Sequence, residues 1–327
     1  MHRHEHGAGT ALVVAAEPES ADAAERMQPV KVAVIDIGSN SARLLVASVG
    51  RRGSIKQLRR ERAYLRLGDD AYRLGRIGDT KLEETAAVAR RFARIARKQG
   101  VERLTTVVTA PGRQASNAES LLDVIAGATG ATVELLSAEE EGRLAWEGAV
   151  AGMAATAGSV AVIDLGGGSC EVAVGRPGEG VDWVRSQDAG ALRVTRSLLG
   201  TGPSSVKDVW VARDDVRGLL ESVEPPPADR AYAVGGTARA VGRLLGKRFD
   251  VDDLDDLALR LVVEGVERTI AGTSITQERA QTLLGGTIVL AELADRIGRP
   301  LRVGRGGLRE GAVLALAGEE ALSARAA

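Results

Sequence analysis

Residues 32–46, VAVIDIGSNSARLLV, decide the fold because a second version of them follows at residues 160–174, VAVIDLGGGSCEVAV. In each copy an apolar run rich in β-branched residues ends at an aspartate, passes through a turn of small residues and resumes as a second apolar run. This pattern predicts a strand, a tight turn and a returning strand, formed twice. Two copies so far apart indicate two similar α/β domains that face each other across a cleft, rather than a short-period repeat protein.

The two aligned turns have the composition of a phosphate-binding site. Glycine lets backbone N–H groups approach an anion, and successive N–H groups form an anion-binding concavity. Serine hydroxyls add donors, and a carboxylate at the strand end, Asp36 or Asp164, can hold a hydrated Mg²⁺ beside the phosphate. Ordinary β-hairpins with glycine turns explain one copy about equally well. They do not explain why Asp, Gly and Ser are aligned in both copies.

Length and composition fit an α/β protein of about two domains. The chain has 327 residues, of which 44% are hydrophobic and only 2% aromatic, so its cores must be built from Val, Leu, Ile and Ala. A net charge of −1 gives no sign of a nucleic-acid binder. No apolar run reaches the roughly 18 residues needed to cross a bilayer, and no cleavage pattern follows residues 11–16. We therefore expect a cytoplasmic protein with no membrane or nucleic-acid partner.

Histidine is confined to the flexible tail predicted over residues 1–28, at His2, His4 and His6. A metal site there would have to order a disordered segment, so a solvated tail is the expected state. Histidine catalysis and histidine-ligated zinc are thereby excluded from the rest of the chain. The single cysteine, Cys170, excludes an internal disulfide and fits a reducing compartment. Because it has no histidine to activate it, we expect a packed side chain.

Two stretches of the first half place charged side chains near strand or helix ends. Arg113, in APGRQASN, follows a predicted strand at residues 104–109, where it could hold a phosphate bidentately or be an ordinary surface arginine. SAEEEGRLAWEG opens with a capping box of Ser137 and Glu140, so three glutamates begin a helix. Capping electrostatics explain two of them. One of the three could point into the cleft and accept a proton from water, and the sequence alone does not show which.

The second half carries another turn that suits an anion. Residues 230–234 read as a strand running into GGTARAVG, a Gly-Gly turn at a helix start, which could face a ligand or simply connect strand and helix. Residues 276–297 have the apolar periodicity of one long helix, weakened in the middle by Gly285 and Gly286. We expect the domains at residues 29–157 and 158–318, with a second tail at 319–327.

Taken in order, the motifs of the chain resemble those of the exopolyphosphatase / guanosine pentaphosphatase (Ppx/GppA) family. They are VAVIDIGSNSARLLV, VTAPGRQASN, LSAEEEGRLAWEGA, VIDLGGGSCEVAVG, DAGALRVTRSLL, AVGGTARAVGRL and GGLREGAVL, and they cover residues 31 to about 317. Each motif alone is weak, whereas all of them in the family's order and at family-like spacings form a specific signal. The resemblance, to the short two-domain members, implies an actin-like ATPase fold. Its two ribonuclease-H-like α/β domains would enclose the active site in the cleft between them.

The resemblance also implies a reaction, namely Mg²⁺-dependent hydrolysis of the terminal phosphoanhydride bonds of inorganic polyphosphate, with release of orthophosphate; Mn²⁺ is the alternative ion. By the same resemblance Glu141 is the general base and Arg113 neutralises the terminal phosphoryl group. Asp164 and Glu171, helped by Asp36, would hold the metal. Phosphate binding would fall on the residues of both turns, which are Gly38, Ser39, Asn40, Ser41, Gly166, Gly167, Gly168 and Ser169. A homodimer is implied as well.

Two departures from the family and three alternative functions stay open. The second turn usually reads GGGST and here reads GGGSC, which removes one hydroxyl. Pro111 and Gly112 replace a small or polar turn, which could displace Arg113. The nearest alternative function is the same chemistry on pppGpp, although no guanine-specific signature is present. A sugar or acetate kinase on this fold, or an actin-like sensor that binds nucleotide or polyphosphate without hydrolysis, would not need Glu141 as a base.

Overall fold

The structure, a computed structural model, describes residues 29–50, 53–200 and 202–326, with side chains described up to residue 318. The tail predicted over residues 1–28, including the three histidines, lies outside the described residues. Within those ranges the chain forms two mixed sheets with helices packed against them. No helix of the described ranges is long and apolar enough to cross a membrane.

The first sheet has five strands in the spatial order β3-β2-β1-β4-β5. They are β1 (Val30–Ile37), β2 (Ser41–Val49), β3 (Ile55–Tyr64), β4 (Arg103–Val108) and β5 (Thr132–Leu135). β1, β2 and β3 form an antiparallel meander, whereas β4 runs parallel to β1 and β5 parallel to β4. The first sequence copy is therefore the hairpin β1–β2. It lies inside the sheet with both faces covered, since Val32, Ala33, Val34 and Ile35 are fully buried.

The second sheet has six strands in the order β10-β11-β9-β6-β7-β8. They are β6 (Val160–Leu165), β7 (Cys170–Arg176), β8 (Gly180–Gln187), β9 (Arg230–Val234), β10 (Arg248–Phe249) and β11 (Leu301–Val303). β6, β7 and β8 are an antiparallel meander, and β9 and β11 continue parallel to β6. Apart from the extra strand β10, the order and directions repeat those of the first sheet. This repetition confirms the two similar α/β halves predicted from the duplicated stretch.

In the part of the chain that the structure describes, thirteen α-helices surround the sheets. Those of the first half are α1 (Leu67–Leu74), α2 (Asp79–Lys98), α3 (Ala110–Gln114), α4 (Ala118–Thr129) and α5 (Ala138–Val150). Those of the second half are α6 (Ala191–Val194), α7 (Val206–Leu219), α8 (Gly235–Leu245), α9 (Val251–Val263), α10 (Val266–Ile270), α11 (Gln277–Ala280), α12 (Leu283–Ile297) and α13 (Leu308–Ala326). A short 3-10 turn, Ala155–Ala157, precedes β6, and a π-helical turn, Thr195–Leu199, continues α6.

Two helices each pack against the sheet of the other half. α5 packs on β6, β7 and β8 of the second sheet, whereas α13 packs on β1 and β2 of the first. The helices touch each other at glycines, since a Cβ at Gly148 or Gly311 would overlap the backbone of the other helix. This close crossing joins the two sheets at one end of the cleft. The domain limits predicted at residues 157 and 318 stay a prediction.

The prediction of a single helix over residues 276–297 is wrong. The structure ends α11 at Ala280 and begins α12 at Leu283, so the break precedes the glycines. Gly285 and Gly286 lie inside α12 because they pack closely against neighbours, and a Cβ at either would come within 2.5 Å of Thr195 Oγ1 or Thr237 Cγ2. They are packing glycines rather than helix breakers.

Candidate active site

The two predicted turns lie at matched ends of the hairpins and have the same internal hydrogen bond. The Gly38 N–H donates to the Ser41 carbonyl at 3.2 Å, and the Gly166 N–H donates to the Ser169 carbonyl at 3.1 Å. Each turn thus closes in the same way, and each follows the central strand of its sheet. We call them the first turn (residues 38–41) and the second turn (residues 166–169).

The turns meet across the cleft. A Cβ on Gly168 would come within 2.5 Å of Ser39 Oγ, and a Cβ on Gly167 would lie 3.3 Å from both Asn40 and Ser39. Glycine is therefore required in the second turn for the close approach of the first. Ser39 Oγ is buried and has no hydrogen-bond partner in the described residues. A buried hydroxyl without a partner is costly, so this oxygen has hydrogen-bonding capacity left for a ligand or a water molecule.

Between the turns lies a cavity of about 90 Å³, which is large enough for several water molecules. Both turns line it, together with four carboxylates, four guanidinium groups and the Gly-Gly start of α8. The four carboxylates are Asp36, Glu141, Asp164 and Glu310, and the four guanidinium groups are those of Arg43, Arg239, Arg279 and Arg309. The cavity thus combines the donors of an anion site with the carboxylates of a base or a cation site.

The structure shows which of the three glutamates of α5 faces the cleft. Glu140 is the capping residue, since its backbone N–H donates to Ser137 Oγ at 3.1 Å and its carboxylate accepts the Ser137 N–H at 2.8 Å. Glu139 points outward to Arg143 and its side chain is 65% exposed. Glu141, by contrast, is 6% exposed and lines the cavity. The helical spacing therefore sends one carboxylate inward and two outward.

Arg113 holds Glu141 in place. Its Nη1 lies 2.8 Å from Glu141 Oε2 and donates at 2.9 Å to the Leu136 carbonyl, while its Nη2 lies 3.7 Å from Glu171 Oε1. Arg113 sits on α3, directly after β4, and Pro111 and Gly112 are part of that helix. It does not line the cavity itself; its guanidinium joins the two glutamates behind the cavity wall. Burial, with Glu171 and Asp164 nearby, raises the pKa of Glu141 well above its ordinary range, although Arg113 opposes the shift.

Asp164 and Glu171 are neighbours across the β6–β7 pair. Glu171 is 1% exposed, and its Oε1 accepts a hydrogen bond from Ser186 Oγ at 2.8 Å, whereas its Oε2 is buried without a partner. Burial, followed by the charge of Asp164, raises the pKa of Glu171 to about 7. Burial, followed by Asp36, raises the pKa of Asp164 to about 6. Mutually repelling buried carboxylates with an unpartnered oxygen have the chemistry of a cation site.

The three predicted metal ligands do not form one tight cluster. Among the described residues, no three Asp, Glu, His or Cys side chains come together closely enough to hold a metal by themselves. Asp36 has a cationic neighbour instead, with Arg309 Nε 3.7 Å from its Oδ2. Asp164 and Glu171 still fit Mg²⁺, because this ion uses one or two carboxylates and completes its shell with water and phosphate oxygens.

Sequence reasoning missed the four arginines of the cavity. Burial lowers the pKa of Arg43, and that of Arg239 to about 10, and the charge of Arg309 adds to both shifts. Crowded, desolvated guanidinium groups repel one another, and a bound polyanion would relieve that repulsion. Arg43, Arg239 and Arg309 lie in the motifs VAVIDIGSNSARLLV, GGTARAVG and GGLREG, so those motifs were the available signal. Arg279, on the short helix α11, had no such signal.

The Gly-Gly turn before α8 does face the cleft. Gly235 has a left-handed φ of 92°, and a Cβ there would lie 3.0 Å from Asp164 Oδ1. A Cβ on Gly236 would overlap the Arg279 guanidinium. Both glycines therefore allow the α8 start to approach the carboxylate wall and the arginines at once.

Comparison with known proteins places this site in a family. The family model described as the Ppx/GppA phosphatase family matches residues 45–320. Exopolyphosphatase 2 of Mycobacterium tuberculosis (strain ATCC 25618 / H37Rv) is 29% identical over 317 residues, covering 88% of this chain and 99% of the relative. The similarity to this relative therefore extends over most of both chains.

Comparison with solved structures leads to the same family. The Ppx/GppA family member of Aquifex aeolicus is 28% identical, with a TM-score of 0.75 over 90% of this chain and 99% of that one. An exopolyphosphatase from Cytophaga hutchinsonii, at 18% identity and a TM-score of 0.78 over 88% of this chain and 97% of that one, shows the fold alone. The predicted actin-like ATPase fold and the predicted class of enzyme, a hydrolase, are confirmed. This chain belongs to the Ppx/GppA phosphatase family.

Proposed function

We propose that the protein is a Mg²⁺-dependent exopolyphosphatase that hydrolyses the terminal phosphoanhydride bond of inorganic polyphosphate and releases orthophosphate. The observation that carries the proposal is the buried Glu141 carboxylate, held 2.8 Å from Arg113 at the wall of a cavity lined by both turns and four arginines. The names of the relatives support the choice of polyphosphate. Mn²⁺ is the alternative ion, and the cytoplasmic location and homodimer stay predictions.

Binding is assigned to the turns and the arginines. Polyphosphate carries about one negative charge per phosphate and no aromatic or apolar group. A site for it therefore needs hydrogen-bond donors and cationic side chains more than apolar contact area. Ser39 Oγ has no partner among the described residues, and the guanidinium groups can each form charge-assisted hydrogen bonds with phosphate oxygens. The small cavity admits the end of a chain and a few water molecules.

Glu141 is assigned as the group that orients and deprotonates the attacking water. A general base is most effective when its pKa lies near the working pH, and burial moves the pKa of Glu141 in that direction. Arg113 fixes one carboxylate oxygen and leaves the other for the water. The proton of the water passes to the carboxylate as the hydroxide oxygen joins phosphorus and the bridging oxygen leaves with the shortened chain.

Asp164 and Glu171 would hold the ion, with Asp36 acting through water. When bound, Mg²⁺ neutralises negative charge on the phosphate oxygens and on these carboxylates. The unpartnered Glu171 Oε2 and the raised pKa values of Glu171 and Asp164 support this assignment.

The test measures orthophosphate release by the purified protein with Mg²⁺ from short polyphosphate, long polyphosphate, pppGpp and ATP. Each substrate is also given to Glu141→Gln and to a matched control, Glu139→Gln. We expect polyphosphate hydrolysis by the wild type and the control. In Glu141→Gln, turnover should fall by about 10² or more while binding is kept, on the scale of general-base contributions.

Four results would contradict the proposal in whole or in part. Release from pppGpp alone would make the protein an alarmone phosphohydrolase. ATP consumption only with a sugar or acetate acceptor would indicate a kinase. Binding of polyphosphate with no release from any substrate would make the protein a sensor, and near-normal turnover in Glu141→Gln would remove the base assignment.

A further inference from the structure

A further ion pair joins the two halves beside the turns. Arg196 Nε lies 2.9 Å from Asp69 Oδ1, and Arg196 Nη2 lies 3.3 Å from Asp69 Oδ2. The pair is bidentate and its side chains are only 30% and 21% exposed. Asp69 belongs to α1 of the first half, and Arg196 to the π-helical turn of the second half. Neither residue lines the catalytic cavity.

Asp69 is connected to the first turn by backbone hydrogen bonds. The Gly68 N–H donates to the Ser39 carbonyl at 2.8 Å, and the Arg66 N–H donates to the Asn40 carbonyl at 3.1 Å. Arg66 has a φ of 56°, the one left-handed non-glycine residue in the described ranges. That conformation is strained for a residue with a Cβ and persists where surrounding contacts require it. Here it lets β3 turn sharply into α1, so that the start of α1 reaches the first turn.

Arg196 is connected to the second turn in the same manner. The backbone N–H groups at the start of α6 donate to carbonyls of the second turn, Leu192 to Gly167 at 2.9 Å and Ala191 to Gly166 at 3.0 Å. The Arg193 side chain adds a 3.2 Å hydrogen bond to the Gly168 carbonyl. Thr195–Leu199 then continues α6 as a π-helical turn, an uncommon geometry that often occurs at functional sites. It brings Arg196 to Asp69.

We propose that the Asp69–Arg196 pair is a positioning pair, which sets the distance between the first and second turns and thereby the binding of the substrate's terminal phosphates. Each partner sits within a few residues of backbone that is hydrogen-bonded to one turn, and the pair links the two. The proposal rests on the proposed function for its kinetic consequence, but not for its structural one. Shifts of about 1 Å in bound geometry can cost up to 100-fold in rate, so a pair of this kind can matter without touching substrate.

The test uses Asp69→Asn, Arg196→Gln and the double variant. The control is Asp79→Asn, which breaks the 2.8 Å pair of Asp79 with Arg76, an i,i+3 contact that does not cross the cleft. For polyphosphate hydrolysis we expect each single variant to raise KM by about tenfold, with kcat within about threefold, and the control to match the wild type. The double variant should be no worse than either single variant, because both remove one interaction.

A second readout does not depend on activity. Hydrogen exchange of the free protein, followed in peptides that cover residues 37–41 and 165–170, should become faster in all three variants and stay unchanged in Asp79→Asn. Circular dichroism at the assay temperature verifies that each variant is folded.

The outcomes separate this proposal from the proposed function. Unchanged exchange at the turns together with unchanged KM would overturn the positioning role, and so would single-variant effects that add in the double variant. A wild type that releases no phosphate would overturn the proposed function, while the exchange data would still decide whether the pair positions the turns.

Discussion

The hairpins β1–β2 and β6–β7 have the same backbone but opposite charges at one matched position. In the first hairpin Asp36 faces Arg43 across the strand pair, and in the second Asp164 faces Glu171. The aspartates are common to both copies, as is the hydrogen bond that closes each turn. One cross-strand position therefore distinguishes two otherwise similar walls of the cleft.

Side chains of the same charge lie around each of these two residues, Arg43 and Glu171. Arg43 lies among other guanidinium groups, and the charges of Arg309 and Arg239 lower its pKa further. Glu171 lies beside Asp164 and close to Glu141, and the repulsion raises the pKa values of the carboxyl groups. A duplicated fold thus provides one wall rich in guanidinium groups and one wall rich in carboxylates, and the proposed function assigns the first to the anion and the second to the cation and the base. A phosphoryl-transfer site needs both, because charge on the phosphate must be neutralised while water is activated.

The largest effect is expected from Glu171→Gln, which keeps the shape of the carboxylate wall and removes its charge. We expect kcat for polyphosphate to fall by about 100-fold or more, because a ligand for the cation and its negative charge are lost together. The measurement is kcat across a Mg²⁺ titration. A variant with a wild-type Mg²⁺ midpoint and wild-type kcat would show that the carboxylate wall does not serve a cation.

Arg43→Gln is the matching change on the other wall. Hydrogen bonds to charged groups contribute about 1.5–3 kcal/mol, so we expect KM for polyphosphate to rise by about 10- to 100-fold. The Mg²⁺ midpoint should stay unchanged, since Arg43 is assigned to the anion. Steady-state kinetics at several Mg²⁺ concentrations separate the two effects. Should Arg43→Gln shift the Mg²⁺ midpoint as Glu171→Gln does, the walls would not have separate roles.

The sequence was sufficient to predict the fold, whereas Glu141 could be chosen among the three glutamates only through the family resemblance. The duplicated stretch predicted both hairpins, because apolar β-branched runs around a small-residue turn have few other solutions. The capping box on α5 accounted for Glu140, and helical geometry then left Glu141 as the inward residue. The family resemblance had already selected Glu141, and the packing of α5 supplies the physical reason.

The arginines of the cavity could not be predicted in the same way. Arg279 lies on the short helix α11, which ends before α12 begins, whereas Gly285 and Gly286 lie inside α12 and pack against Thr195 and Thr237. Glycine in a helical pattern indicates either a break or a close contact, and only the tertiary structure distinguishes them. The Asp69–Arg196 pair likewise joins residues far apart in sequence, for which local patterns carry no signal.

The charges of the carboxylate wall also predict the pH dependence of stability. The pKa values of Asp164, about 6, and Glu171, about 7, are raised above those of the unfolded chain. The folded state therefore binds more protons than the unfolded state. The contribution of these two groups to the free energy of unfolding is fully present below about pH 4 and is lost as the pH rises through 6 to 7. Without divalent ions, we expect the free energy of unfolding to fall by about 4 kcal/mol from pH 5 to pH 8 on account of these groups.

Urea unfolding in EDTA at pH 5 and pH 8 measures this fall. Glu171→Gln should show a smaller loss of unfolding free energy between the two pH values and should be more stable than the wild type at pH 8. The exposed control Glu139→Gln should lose as much as the wild type. If Glu171→Gln and the wild type lose the same stability between the two pH values, the repulsion within the carboxylate wall is not the cause.

The smallest effect is expected at Cys170, which matches Ala42 in the aligned hairpins. Both side chains are buried, at 1% and 0% exposure, and each packs in the core of its own half. Burial and the neighbouring carboxylates raise the pKa of the Cys170 thiol, so we expect it to stay protonated and to take no part as a nucleophile. We expect Cys170→Ala to keep kcat and KM within about twofold and to lower the free energy of unfolding by about 1 kcal/mol, through the small cavity left by sulfur. Kinetics and urea unfolding measure the two quantities, and a tenfold loss of kcat in a folded variant would place the thiol in the chemistry of the second turn.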